Sequence, residues 1–175
     1  MIDKILLAVD GSQNAQRAVD LAAELAGKLN ANMFIVHVTM RGRPAEELVH
    51  MAEVEHLVKE VQTVISPGIA YVTGSHPEFL GGSRTDPRTE NIISVLGEQI
   101  VARAKKRCAE RGVNNAKTSV RAGDYAEEIL GAANEFNVDM IVIGSRGLGV
   151  LKSTVLGSVS QKVLHNADCS VLTVR

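Results

Sequence analysis

Apolar residues along this chain fall into four short runs and one alternating stretch, separated by segments where they recur at helical spacing. Met1 to Asp10 reads as a buried strand, because Ile5-Leu6-Leu7-Ala8-Val9 is unbroken by a polar residue. The run stops at Asp10-Gly11-Ser12, a turn signal in which Ser12 can also cap a helix. From Ala15 onward Ala18, Val19, Ala22, Leu25, Ala26 and Leu29 share one face, and Arg17, Asp20, Glu24 and Lys28 take the other. Asn30-Ala31-Asn32 ends that helix and Met33 to Val38 is a second buried strand. Strand, helix and strand joined this closely predict a parallel pair with a crossover helix.

The later part of the chain repeats the alternation. Ile92 to Arg111 reads as a helix closed by Gly112, and Ala116 to Ala122 as a strand nearer the sheet edge. Tyr125 to Phe136 follows as a helix with Asp124 at its N-cap, then the strand Met140 to Ile143. A short helix, Ser158 to His165, and a last strand, Ser170 to Val174, complete the pattern. The fold class expected is α/β: an open five-stranded parallel sheet with helices on both faces, Rossmann-like. One domain spanning 1–175 is expected, with a helix-plus-loop insertion at about 41–90. Within it, Leu48, Met51, Ala52, Leu57, Val58, Val61 and Val64 predict an amphipathic helix from about Glu46 to Ile65. Ser66 to Arg88 has no periodicity, and reads either as a surface excursion or as a lid or partner-binding segment.

Composition narrows the function classes. With 19 basic and 20 acidic residues the net charge is −1, so no global field attracts nucleic acid or an anionic membrane. Aromatics make up 3% and there is no Trp, leaving little to stack single-stranded bases on. The apolar run at the N-terminus is too short to span a membrane and lacks the flanks of a signal peptide, which points to the cytoplasm. Cys108 and Cys169 have no CxxC-type partner and read as thiols in a reducing compartment.

The candidate chemistry lies after the fourth strand, in Gly144-Ser145-Arg146-Gly147-Leu148-Gly149 and, eight residues on, Gly157-Ser158. In an open parallel sheet, ligands bind beyond the carboxyl ends of the strands, where the strand order reverses. A glycine there lets backbone approach a ligand, and a helix beginning at Gly157-Ser158 offers amides and a dipole to phosphate. Packing alone also produces such turns. The segment is neither a Walker A loop, since Lys152-Ser153 lacks its preceding Gly, nor the GxGxxG dinucleotide fingerprint.

Its spacing, Gly144, two residues, Gly147, nine residues, Gly157-Ser158, resembles the nucleotide-binding signature of the universal stress protein family. Lys4 to Ser12, Val36-His37-Val38, Gly123-Asp124, Ser158-Val159-Ser160 and Val163-Leu164 extend the resemblance to most of the chain outside about 41–90. It implies an adenine nucleotide alpha hydrolase-like fold and membership of the ATP-binding subgroup, with Mg²⁺ or Mn²⁺ as an accompanying cation. By the same resemblance Ala8, Val9, Asp10 and Ser12 line the ligand at the end of the first strand, and the Val38 backbone meets the adenine edge. Ile143 belongs to the same set and Gly144 lies against the ribose, while Gly147, Gly157, Ser158 and the Val159 amide hold the phosphates. Apart from the resemblance, the basic Arg146 and Lys152 of the loop would neutralise a polyphosphate. Asp10 also reads simply as the turn residue ending its strand, and Arg146 and Lys152 as solvated loop charges.

An ATP hydrolase needs a positioned water, an orienting group and usually Mg²⁺ ligands. Asp10 is the carboxylate placed to serve, with Asp124 the next; none of the five histidines reads as catalytic or metal-binding. The leading expectation is therefore an ATP-binding regulatory protein with slow or no hydrolysis and no assigned catalytic residue. The alternatives are an adenylyl- or phosphoryl-transfer enzyme and a nucleotide-independent scaffold. The family resemblance further implies a homodimer through Val171 to Val174, with an unidentified regulatory protein as partner.

Overall fold

The computed structural model describes residues 1–40, 87–147 and 156–175, with the backbone alone at 87–90 and 92. The helix expected over Glu46 to Ile65, the loop at 66–86 and Lys152 fall outside the described residues.

Five strands form one sheet in the order β3-β2-β1-β4-β5. They are β1 (Lys4–Ala8), β2 (Asn32–Thr39), β3 (Lys117–Ala122), β4 (Met140–Gly144) and β5 (Ser170–Val174). All four pairings are parallel, with Ala8 opposite both Val36 on β2 and Ile143 on β4. The helices are α1 (Gln13–Leu29), α2 (Pro87–Glu110), α3 (Tyr125–Phe136) and α4 (Ser158–Asn166). Helices α1 and α2 cover one face; α3 and α4 cover the other.

The unbroken apolar run of β1 is explained by these two layers. Ile5, Leu7 and Val9 enter the core under α1 and α2, whereas Leu6 and Ala8 enter the core under α3. Each fully buried Leu or Ile of this strand contributes about 2 kcal/mol of apolar burial. The alanine-rich face of α1 (Ala15, Ala18, Ala22, Ala23 and Ala26) is what presses onto that sheet.

Local signals end the elements where the sequence places them. Ser12 Oγ accepts from the Ala15 amide at 3.1 Å at the start of α1, and Asn30 closes it in the left-handed region at φ 53°. Asp124 Oδ1 accepts from the Ala126 and Glu127 amides, both at 3.1 Å, at the start of α3. Helix α2 begins earlier than the expected Ile92, because proline is well suited to a first helical position and Pro87 occupies one. Asp20 of α1 accepts from Arg107 Nε at 2.5 Å and Arg107 Nη2 at 2.6 Å, and Arg111 lies 2.9 Å away, tying α1 to α2. The Arg107 guanidinium holds the Asp20 carboxyl below its ordinary value. Cys108 is buried against Met33 with its thiol 3.4 Å from the sulfur, and burial pushes its pKa up to about 11. Both cysteines are free thiols.

The chain leaves β1 through α1 to β2 on one side, and returns from β3 through α3 to β4 on the other. The strand order therefore reverses between β1 and β4, which locates the crevice where ligands bind in sheets of this kind.

Candidate functional site

Beyond the carboxyl ends of β1 and β4 two loops meet. The first, after β1, is a tight turn: Gly11 takes φ +85°, open to glycine, and Asp10 Oδ1 accepts from the Ser12 amide at 2.9 Å. Asp10 thus does serve as the turn residue. Its other carboxylate oxygen lies directly over Gly147 of the second loop, where any Cβ would overlap it. Asn14 adds a second bridge, its Nδ2 donating to the Arg146 carbonyl at 3.3 Å.

Strand register carries Val38 to the same level. Ala8 lies opposite Val36, so two residues further Asp10 and Val38 face each other at the sheet's edge. His37 supports this end from within the core, its ring Nδ1–H donating to the Val9 carbonyl at 2.8 Å. Gly97 of α2 makes room for that ring: a Cβ there would come within 3.1 Å of His37 Cδ2 and 3.0 Å of Val120 Cγ1.

The glycines of the second loop do different jobs. A Cβ at Gly144 would lie 3.1 Å from the Ala15 nitrogen and the Asn14 carbonyl carbon, so the missing side chain lets α1 pack on β4. A Cβ at Gly157 would meet only ordinary contacts, the nearest being the Arg146 Cα at 3.4 Å. Gly157 is the N-cap of α4 and makes no side-chain cap, so the cap residue itself leaves the first amides of that helix open. Ser158 is exposed on this turn, and Val159 packs half-buried against the α3–α4 core.

Ser145 ties the parts together. Its amide donates to the Val174 carbonyl of β5 at 2.6 Å, and its carbonyl accepts from the Gly157 amide at 2.7 Å and from Ser160 Oγ at 2.8 Å. Its own hydroxyl is buried and has no hydrogen-bond partner among the described residues, so an unmet polar group lies at the base of the loop.

The structure thus brings Ala8, Val9, Asp10, Ser12, Val38, Ile143, Gly144, Arg146 and Gly147 to one edge, with Gly157, Ser158 and Val159 at the mouth of α4. Uncapped helix amides, close-lying glycine backbone and an unmet hydroxyl are groups that suit a phosphorylated ligand. Nothing in the sequence signals Asn14; Ser145, Ser160 and His37 lie inside motifs that carry the family resemblance, but those motifs do not indicate the bonds these residues make. Adjoining this edge at Val9 and Gly11, a groove of about 270 Å³ runs between α1 and α2 over Ala15, Val19, Ile100 and Ala104. Among the described residues no three His, Cys, Asp or Glu side chains group to hold a metal ion, and no helix is long and apolar enough to cross a membrane.

The sequence model of the Universal stress protein family matches residues 1–175. The chain is 39% identical over 176 residues to the universal stress protein YxiE of Bacillus subtilis, covering 100% of both. Two solved structures share the fold at lower identity. A universal stress protein in complex with cAMP is 20% identical, with a TM-score of 0.60 over 99% of this chain and 97% of that one. The universal stress protein from Archaeoglobus fulgidus in complex with dAMP is 17% identical, with a TM-score of 0.54 over 100% of this chain and 98% of that one.

Proposed function

The chain belongs to the universal stress protein family, and on that premise we propose that it is an ATP-binding regulatory module of the stress response, acting in the cytoplasm. The observation that carries this reading is the convergence, at the point where strand order reverses, of Asp10, Gly147 and the uncapped first turn of α4. The complexes of two structural relatives with cAMP and dAMP support an adenine nucleotide as the ligand class.

In this reading Ala8, Val9, Asp10, Ser12 and Ile143 line the nucleoside, and the Val38 backbone pairs with the adenine edge. The backbone of Gly144 lies against the ribose. Gly147, Gly157, Ser158 and the Val159 amide hold the phosphates, and Arg146 supplies charge. Mg²⁺ or Mn²⁺ accompanies the phosphates. With no base assigned, hydrolysis is slow or absent, and the bound nucleotide acts by changing conformation, assembly or affinity for a regulatory protein. The assembly is a homodimer through Val171 to Val174.

Calorimetry with ATP tests the reading, together with the variant Gly157→Asp. Aspartate is a good N-cap, so the fold is retained, yet its carboxylate repels a phosphate at the helix mouth. ATP affinity is expected to fall about 10-fold or more. Absence of ATP binding by the wild-type protein, or an unchanged affinity in the variant, overturns the site assignment. Turnover well above about one per second with ATP and Mg²⁺ turns the reading to an enzyme.

A further inference from the structure

We infer that Ser160 is a positioning residue for the nucleotide site, its buried hydroxyl latching the two ends of the glycine-rich loop together before any ligand arrives. The inference rests on the ATP-binding reading and assigns a role inside that site.

Strand β4 ends at Gly144 and helix α4 begins at Ser158, so Ser145 and Gly157 border the segment between them. Holding two points of a chain together at this separation in sequence costs conformational entropy. Two hydrogen bonds across the segment offset that cost, both accepted by the Ser145 carbonyl, and a third contact lies within the first turn of α4. The Gly157 amide donates to the Ser145 carbonyl at 2.7 Å, and Ser160 Oγ lies 2.8 Å from the same carbonyl and 3.0 Å from the Gly157 carbonyl. A serine hydroxyl has one proton, so the shorter contact to Ser145 takes the main share and Gly157 the weaker one.

The position of Ser160 fits it to this task and to little else. It is 1% exposed, so its hydroxyl is not a solvated ligand of the phosphates. It lies in the first turn of α4, and a bond from there to Ser145 fixes the helix mouth relative to the end of β4. The Ser145 amide is itself fastened to Val174 of β5 at 2.6 Å, so the latch closes onto the sheet rather than onto a free loop. The first amides of α4 are therefore held in one direction in the free protein. Binding then need not pay to orient them.

The test separates the phosphate part of binding from the rest. Ser160→Ala is expected to weaken ATP about 10-fold while changing adenosine affinity less than about 2-fold, since adenosine does not use the α4 amides. A loss confined to general stability would not move the ratio of the two affinities. Equal losses for ATP and adenosine, or no loss for either, overturn the inference while leaving ATP binding intact. If the wild-type protein binds no ATP, both readings fall. A second measurement needs no variant. Amide exchange of Gly157 in the free wild-type protein is expected to be slow, comparable with amides of β4; fast exchange overturns a latch closed before binding.

Discussion

A methyl group added at Gly144 would approach the Ala15 nitrogen and the Asn14 carbonyl carbon to 3.1 Å, and both are backbone atoms that move only with α1. The same methyl at Gly157 has 3.4 Å to its nearest neighbour and a φ of −74°, where any residue is at ease. The two glycines look alike in the sequence signature but answer to different constraints. Gly144→Ala is expected to cost about 1–3 kcal/mol through overpacking. Gly157→Ala is expected to cost about 1 kcal/mol or less, the cost of replacing an acceptable N-cap by a poor one. Urea unfolding of the two variants measures the order, and a Gly157→Ala protein less stable than Gly144→Ala would contradict the packing described. Spacing identified both positions, but not their separate reasons. Those depend on what stands across the sheet edge, which no local pattern carries.

Between elements, the junctions are made by carboxylates placed on backbone amides. Asp139, just before β4, accepts from the Asp3 amide at 2.8 Å and the Lys4 amide at 2.9 Å, binding the start of β1 to the start of β4. The Asp3 amide first, and then that of Lys4, holds its carboxyl below the ordinary value of 3.8. A depressed folded-state pKa means that the stabilisation is fully present above 3.8 and is lost as pH falls below it, through the lower folded value. Asp139→Asn is therefore expected to lower the urea midpoint at neutral pH, with the gap to wild type closing below about pH 4. A gap that persists undiminished to about pH 2 would refute this origin. The strands themselves were legible because β1, β2 and β4 are buried on both faces and so carry unbroken apolar stretches, Ile5–Ala8, Met33–Val36 and Met140–Ile143. The caps Ser12 and Asp124 were legible because their geometry is local. The start of α2 at Pro87 was not, since a Pro, Arg, Thr and Glu series resembles the loop before it until the helix is seen. The His37–Val9 bond joins residues far apart in sequence, and only parallel register brings them together.

At the scale of the whole molecule, β5, like β3 at the opposite end of the order, has one side unpaired among the described residues, and β5 is the more apolar of the two. It ends the strand order, pairs only with β4 among the described residues, and its Val171, Leu172, Thr173 and Val174 are all partly exposed. The ladder fixes which of its backbone groups are spoken for. The Ser170 amide donates to Asp139 and the Val174 carbonyl accepts from Ser145, so even-numbered residues turn their polar backbone inward to β4. Val171 and Thr173 then present N–H and C=O outward, as a template for another strand. The proposed homodimer uses this row, with the two β5 strands antiparallel. Proline is tolerated on an edge strand when the N–H it removes points away from the ladder. Thr173→Pro should therefore delete an intersubunit hydrogen bond and keep every bond to β4. Sedimentation at micromolar concentration is expected to give a dimer mass for the wild-type protein and a monomer mass for Thr173→Pro, with circular dichroism unchanged. A monomeric wild-type protein, or a Thr173→Pro protein that stays dimeric, would remove β5 as the interface. Because the Ser145 amide grips the last carbonyl of β5 while the Ser145 carbonyl grips the mouth of α4, the edge and the nucleotide loop share one residue. Any effect of nucleotide on the dimer must then appear, with the same free energy, as an effect of dimerisation on nucleotide affinity.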